Sequence, residues 1–141
     1  MRTPMIGRLG KILVMSLAST LLTTDANSDA NGNAVEMKIG DVFHRTMKHW
    51  KYSYTALDTT KSGVACIRWQ HIDQKFLDDG IFEAIGFSYS MAKEEAAIRI
   101  ATQGCGEMAK HYEVTDCTCE VVLVDDEVRV APPQEVIDRL Q

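Results

Sequence analysis

The sequence has no apolar run long enough to cross a membrane. Its longest, Ile12 to Leu22 (ILVMSLASTLL), has 11 residues, where a spanning helix needs roughly 20. It has no glycine-rich phosphate loop, since Gly104-Cys105-Gly106 lacks both the spacing and a following lysine. None of its four histidines, His44, His49, His71 and His111, stands in a recognisable nucleophile motif. Asp78-Asp79 and Asp125-Asp126-Glu127 lack the spaced oxygen ligands of a calcium loop and read as turns. Positive charge is also scarce. Fifteen Lys and Arg face 20 Asp and Glu, a formal net charge of −5. The first 26 residues hold Arg2, Arg8 and Lys11 against Asp25 alone, so the remainder carries 12 basic and 19 acidic side chains, about −7. Such a domain repels phosphate backbones, which excludes nucleic acid as a general partner.

What is present begins with an address. Met1 to Lys11 is basic, Ile12 to Leu22 is apolar, and Thr24-Asp25-Ala26 places small residues on either side of Asp25. A basic, an apolar and a small-residue region in that order predict a secretory signal over 1–26. Ser28-Asp29-Ala30 offers a second cleavage position. Residues 27–40 are rich in Asn, Asp and Ala and read as a flexible lead-in, leaving 41–141 as one domain. No membrane span remains once the signal is removed. The expected location is periplasmic or secreted.

Within 41–141 the pattern alternates between helix and strand. Asp41 is a candidate cap for a short helix with Phe43, Met47 and Trp50 on one face. Trp50, Tyr52, Tyr54 and Ala56 then alternate with polar residues, a strand signal. Val64 to Gln70 is a second strand, so 50–70 reads as a hairpin. His71 to Gly80 is a polar loop, and Ile81 to Ser90 a further strand. Ser90 is a candidate cap for a helix that ends near Gly104. Cys117 to Val124 is the clearest strand, with a hairpin return through Asp125-Asp126 and a short helix over 135–140. The predicted class is α+β: a small, mainly antiparallel sheet packed against one long helix and stapled by disulfides.

Cys66, Cys105, Cys117 and Cys119 all follow the signal, and an even count in an exported chain predicts two disulfides. Cys117 and Cys119 lie two apart on a strand and point to one face. A bond between them closes too small a loop for disulfide geometry. That leaves two pairings. The preferred one is Cys105–Cys117 with Cys66–Cys119, because the helix must turn back within 11 residues. A four-thiolate zinc site with His71 or His111 as substitute ligand is a weaker alternative, since Cys-Thr-Cys is tighter than the usual zinc spacing. Asp116 and Glu120 beside these cysteines raise thiol pKa values, which disfavours a reactive thiolate. Neither a metal nor another cofactor is predicted.

The stretch from Phe82 to Val124, with "FEAIGFSYS", "AKEEAAIRIATQGC" and "DCTCEVVLV", resembles small exported bacterial domains known as domain of unknown function number 4189. Those domains carry an aromatic strand, an Ala-rich helix closing on Cys, and a second Cys opening a Val-rich strand. The resemblance covers about 43 residues; it implies export and a disulfide, and no activity. The longer gap between cysteines and the Cys-x-Cys depart from that pattern and leave the pairing open.

For function, His44, Arg45, Lys48 and His49 form a basic cluster beside Trp50 and Tyr52. This is a candidate binding patch for an unidentified protein or a cell-envelope or extracellular ligand. The sequence favours a non-enzymatic binding protein. A small hydrolase built on His71 or His111 with an acid partner, and a periplasmic metal-binding protein using Cys and His, are the alternatives.

Overall fold

The computed structural model describes residues 26–141. In chain order its elements are α1 (Ala26–His49), β1 (Ser62–Ile67), α2 (Gln74–Asp79), β2 (Ile85–Ser88), α3 (Glu94–His111), β3 (Thr118–Val124), β4 (Glu127–Val128) and α4 (Gln134–Arg139). Single 3-10 turns occupy Tyr54–Ala56 and Trp69–His71. The four strands form one sheet in the order β2-β1-β3-β4, with every neighbouring pair antiparallel. β2 and β3 therefore run parallel to each other on either side of β1, and α3 crosses between them. No helix among the described residues is long and apolar enough to cross a membrane.

The predicted class holds, with one addition: the sheet has a long helix on each face. Successive residues of β1 point to opposite sides. Ala65 and Ile67 join a core with Val35, Ile39, Val42, Phe43 and Met47 of α1. Val64 and Cys66 join a second core with Ala101 and Cys105 of α3. On the α3 side the contact is between backbones. A Cβ added to Gly86 would run into the Ala101 carbonyl oxygen and the Cys105 nitrogen. Ser88 extends the contact by donating its hydroxyl to the Ala97 carbonyl at 2.7 Å.

Several expectations are corrected. Residues 27–40 are helical rather than a flexible lead-in, so they belong to the folded unit. The apolar residues Val35, Ile39, Val42, Phe43 and Met47 recur at helical spacing and are buried. Their burial outweighs the turn propensity of the Asn and Asp residues around them. Asp41 lies inside this helix and caps nothing. The segment from Trp50 to Ala56 is not a strand; it is a helix end followed by a 3-10 turn. β1 pairs with β2 and β3 instead of forming a hairpin over 50–70. The loop expected over 71–80 contains α2, capped by Asp73, whose Oδ1 accepts the Phe76 N–H at 2.8 Å. α3 starts after Lys93, not Ser90, and passes through Gly104 to His111. Gly104 faces the Gly86 Cα at 3.6 Å from where its own Cβ would stand. It marks a close approach, not a helix end.

The predicted export signal lies outside the described residues, apart from Ala26, which opens α1.

Candidate functional site

The predicted cluster at the end of α1 separates into an inward and an outward group. His44 is half-buried with its ring 5.6 Å from that of Tyr54. Burial lowers its pKa, against the opposing effect of Asp41. Arg45 donates to the carbonyls of Gly80 at 2.6 Å and Leu77 at 3.3 Å, and so satisfies the open end of α2. Both are structural. Lys48, His49, Trp50 and Tyr52 are exposed.

The outward group is larger than the sequence suggested. Trp50 packs on Tyr112 with ring centroids 5.9 Å apart. His49 meets Trp50 edge-on at 5.6 Å, and His111 meets Tyr112 edge-on at 4.8 Å. Four rings thus form a continuous strip on the surface. Tyr52, two residues after Trp50, packs separately on Phe87 of β2 with ring centroids 5.1 Å apart. Trp50 is 38%, Tyr52 52% and Tyr112 51% exposed; large rings in contact are normally hidden.

The strip is built twice from one local device. Lys48-His49-Trp50 ends α1, and Lys110-His111-Tyr112 ends α3. In each case the next residue adopts a left-handed conformation, Lys51 with φ 70° and Glu113 with φ 54°. In each case the chain then folds back. Tyr52 N–H donates to the Met47 carbonyl at 2.9 Å, and Val114 N–H to the Ala109 carbonyl at 2.8 Å. Both ends are Schellman closures with a charged residue at the position that usually takes glycine. The two helices lie on opposite faces of the sheet, so Trp50 and Tyr112 meet around its margin. Tyr112 was missed in the sequence, and His111 was read there only as a candidate base or metal ligand. The repeated Lys-His-aromatic triplet was the signal that pointed to them.

Charge follows the same pattern. Lys48, Lys51 and Lys110 join His49 and His111, with Glu113 the one acid in residues 48–52 and 110–114. None of these lysines forms an ion pair among the described residues. Cations in a last helical turn complement the helix dipole; here two such turns are side by side. The two tryptophans differ in kind. The Trp69 indole N–H donates to Glu120 at 2.7 Å and its carbonyl accepts from Arg139 at 2.7 Å, so it is tied into the fold. Burial also raises the pKa of Glu120.

Lys61 is the reverse case of a lysine, being almost completely buried. Its ammonium donates to the Tyr54 and Leu57 carbonyls at 3.0 Å each and lies 3.2 Å from Asp126. Tyr54 donates to the Asp125 carbonyl at 2.8 Å, and burial raises its pKa. These bonds fasten the 52–60 segment to the β3–β4 turn and leave Lys61 no free donor for chemistry.

His71 lines a cavity of about 250 Å³ with Arg68, Phe82, Glu83 and Val114. The Glu83 carboxylate is committed to Arg68 at 3.3 Å. No hydrogen bond or ion pair joins His71 to an acid among the described residues. A His–acid dyad is therefore absent from this cavity as it stands.

All four cysteines are in disulfides, Cys66–Cys117 and Cys105–Cys119. The preferred pairing, Cys105–Cys117 with Cys66–Cys119, is corrected to the other of the two left open. α3 continues six residues past Cys105 before turning. The returning chain then places Cys119, not Cys117, beneath Cys105, and Cys117 reaches sideways to Cys66. The Cys66, Cys105 and Cys119 sulfurs lie within 4.8 Å of one another. Bonded as disulfides they have no thiolate to offer a metal. Two disulfides are the chemistry of an oxidising, non-cytoplasmic location.

No family model, curated protein or solved structure matches this chain.

Proposed function

We propose that this chain is an exported binding protein that holds an anionic cell-envelope or extracellular glycan on the strip formed by His49, Trp50, Tyr112 and His111. The observation that carries this reading is the contact between two exposed rings at two helix ends. A flat aromatic surface stacks on the apolar face of a sugar ring, and the flanking Lys48, Lys51 and Lys110 complement acidic groups. In a chain of net charge −5 this strip is a local concentration of positive charge. The disulfides favour export, to the periplasm or beyond, with residues 1–26 as the removable signal. Cleavage after Ala26 fits best, because cleavage after Ala30 would remove the first turn of α1. The family resemblance over 82–124 agrees with export.

The test is binding of the oxidised domain to purified acidic and neutral polysaccharides, read by tryptophan fluorescence and co-sedimentation. Trp50→Ala with Tyr112→Ala is expected to weaken binding to the acidic polymers at least about tenfold, the scale of losing an aromatic anchor. Binding unchanged in this variant, or no binding to any acidic polymer, rejects the reading.

A further inference from the structure

Each disulfide joins a buried cysteine to a half-buried one, the Cys66–Cys117 bond borders a cavity through Cys66, and the two bonds are near enough to exchange. Cys105, on α3, is fully buried. Cys117 is half-buried ahead of β3, and Cys66 lines the cavity with Arg68, His71 and Val114. Arg68 donates to the Thr115 carbonyl at 2.9 Å and so holds the segment leading to Cys117 at the cavity rim. The Cys66 sulfur is within 4.8 Å of both sulfurs of the inner bond. Cys66 and Cys119 are also register partners on adjacent antiparallel strands. Such partners have Cα atoms roughly 4.5–5.5 Å apart, within disulfide range, so they can bond without backbone movement.

We infer that Cys66–Cys117 is an exchange site for a dithiol reductant and that Cys66 passes the exchange inward to Cys119. A thiolate of the dithiol attacks the Cys117 sulfur. A mixed disulfide forms, and Cys66 leaves with the electron pair. The Cys66 thiolate attacks the Cys119 sulfur; the Cys66–Cys119 bond forms and Cys105 leaves. Cys105 takes a proton and remains as a neutral thiol, the form its buried position favours. The second sulfur of the dithiol then attacks the first, releasing Cys117 and the reductant's own disulfide. The net change is two electrons and two protons: one dithiol becomes a disulfide, and Cys105 and Cys117 become thiols. Asp116, next to Cys117, disfavours an anionic thiol such as glutathione, while Glu83 is offset by Arg68. The reductant class is an uncharged small dithiol or the dithiol of an oxidoreductase.

The consequence is specific. Cys105 is the one cysteine on α3. A single two-electron reduction therefore frees α3 from its covalent tie, although the bond attacked joins other parts of the chain.

The oxidised full chain is treated with one equivalent of dithiothreitol, quenched with acid, alkylated and mapped by mass. In molecules with one bond reduced, label is expected on Cys105 and Cys117, with Cys66 and Cys119 recovered as a linked peptide. Label on Cys66 and Cys117 with Cys105–Cys119 intact, any other pairing, or loss of both bonds together overturns the inference. A Cys117→Ser variant tests it without reductant. Its one free thiol is expected at Cys105 rather than Cys66, and a free Cys66 overturns the inference. The wild-type mapping stands whether or not the variant folds.

Discussion

The two faces of the sheet are held by different physics. The α1 face is a large apolar core in which Phe43 stacks edge-on against Tyr54 at 5.7 Å and covers Gly63. No disulfide reaches it. The α3 face has small residues, Gly86, Ala97, Ala101 and Gly104, where helix and strand touch backbone to backbone, and both disulfides are there. Small side chains bury little apolar area per residue, so close approach and covalent ties must make up what hydrophobic burial does not supply. The lesson is that one sheet can be stabilised by volume on one side and by proximity on the other. The two sides should fail differently.

The sharpest break is at Gly86. Gly86→Ala is expected to cost more than about 4 kcal/mol, because backbone atoms of α3 cannot swing away as a side chain would. Its partner Gly104 gives the opposite sign. A Cβ there has ordinary contact distance, so Gly104→Ala should stabilise by up to about 1 kcal/mol through helix propensity. Urea midpoints that fall equally for both would contradict the close-approach account. On the other face, Phe43→Ala is expected to cost about 3 kcal/mol, and the loss should be the same with the disulfides intact or reduced. A loss that depends on redox state would show that the faces are coupled. The smallest effect concerns the feature the faces share. Lys51→Gly and Glu113→Gly should each stabilise by about 0.5–1 kcal/mol, since glycine adopts the left-handed conformation without steric cost. Thermal unfolding that shows gain at one helix end and loss at the other would mean that the two closures are not equivalent.

How much of this was legible beforehand depended on whether the signal was local. The run "CTCEVVLV" reads as a strand from its own residues, and it is one. The α3 stripe of Ala97, Ala101 and Cys105 likewise shows its period. The helix through 27–40 was hidden because its polar residues outnumber its apolar ones; Val35 and Ile39 acquire meaning only from the sheet and α4 beneath them. Trp50, Tyr52 and Tyr54 alternate like a strand, but the period is accidental. Trp50 ends a helix, Tyr52 closes it, and Tyr54 turns inward to Asp125. The disulfide pairing turned on where α3 stops, which Gly104 and Gly106 misreported. In the candidate site, the half on α1 was visible as a basic and aromatic cluster. The half on α3 was not, because 62 positions separate Trp50 from Tyr112 and only tertiary structure joins them.

The bond from the Ile85 N–H to the Met108 sulfur, at 3.3 Å, has a consequence for how this chain meets its own copies. β2 is one border of the sheet, and a border strand with free amides invites a second chain to add itself. Here an amide of that border is occupied by a thioether of α3, while the other border, β4, has two residues, too few to template a partner. The folded domain thus presents little strand for another copy to extend. Oxidation of Met108 to its sulfoxide, by disturbing that contact, would be one way for such a chain to begin to aggregate.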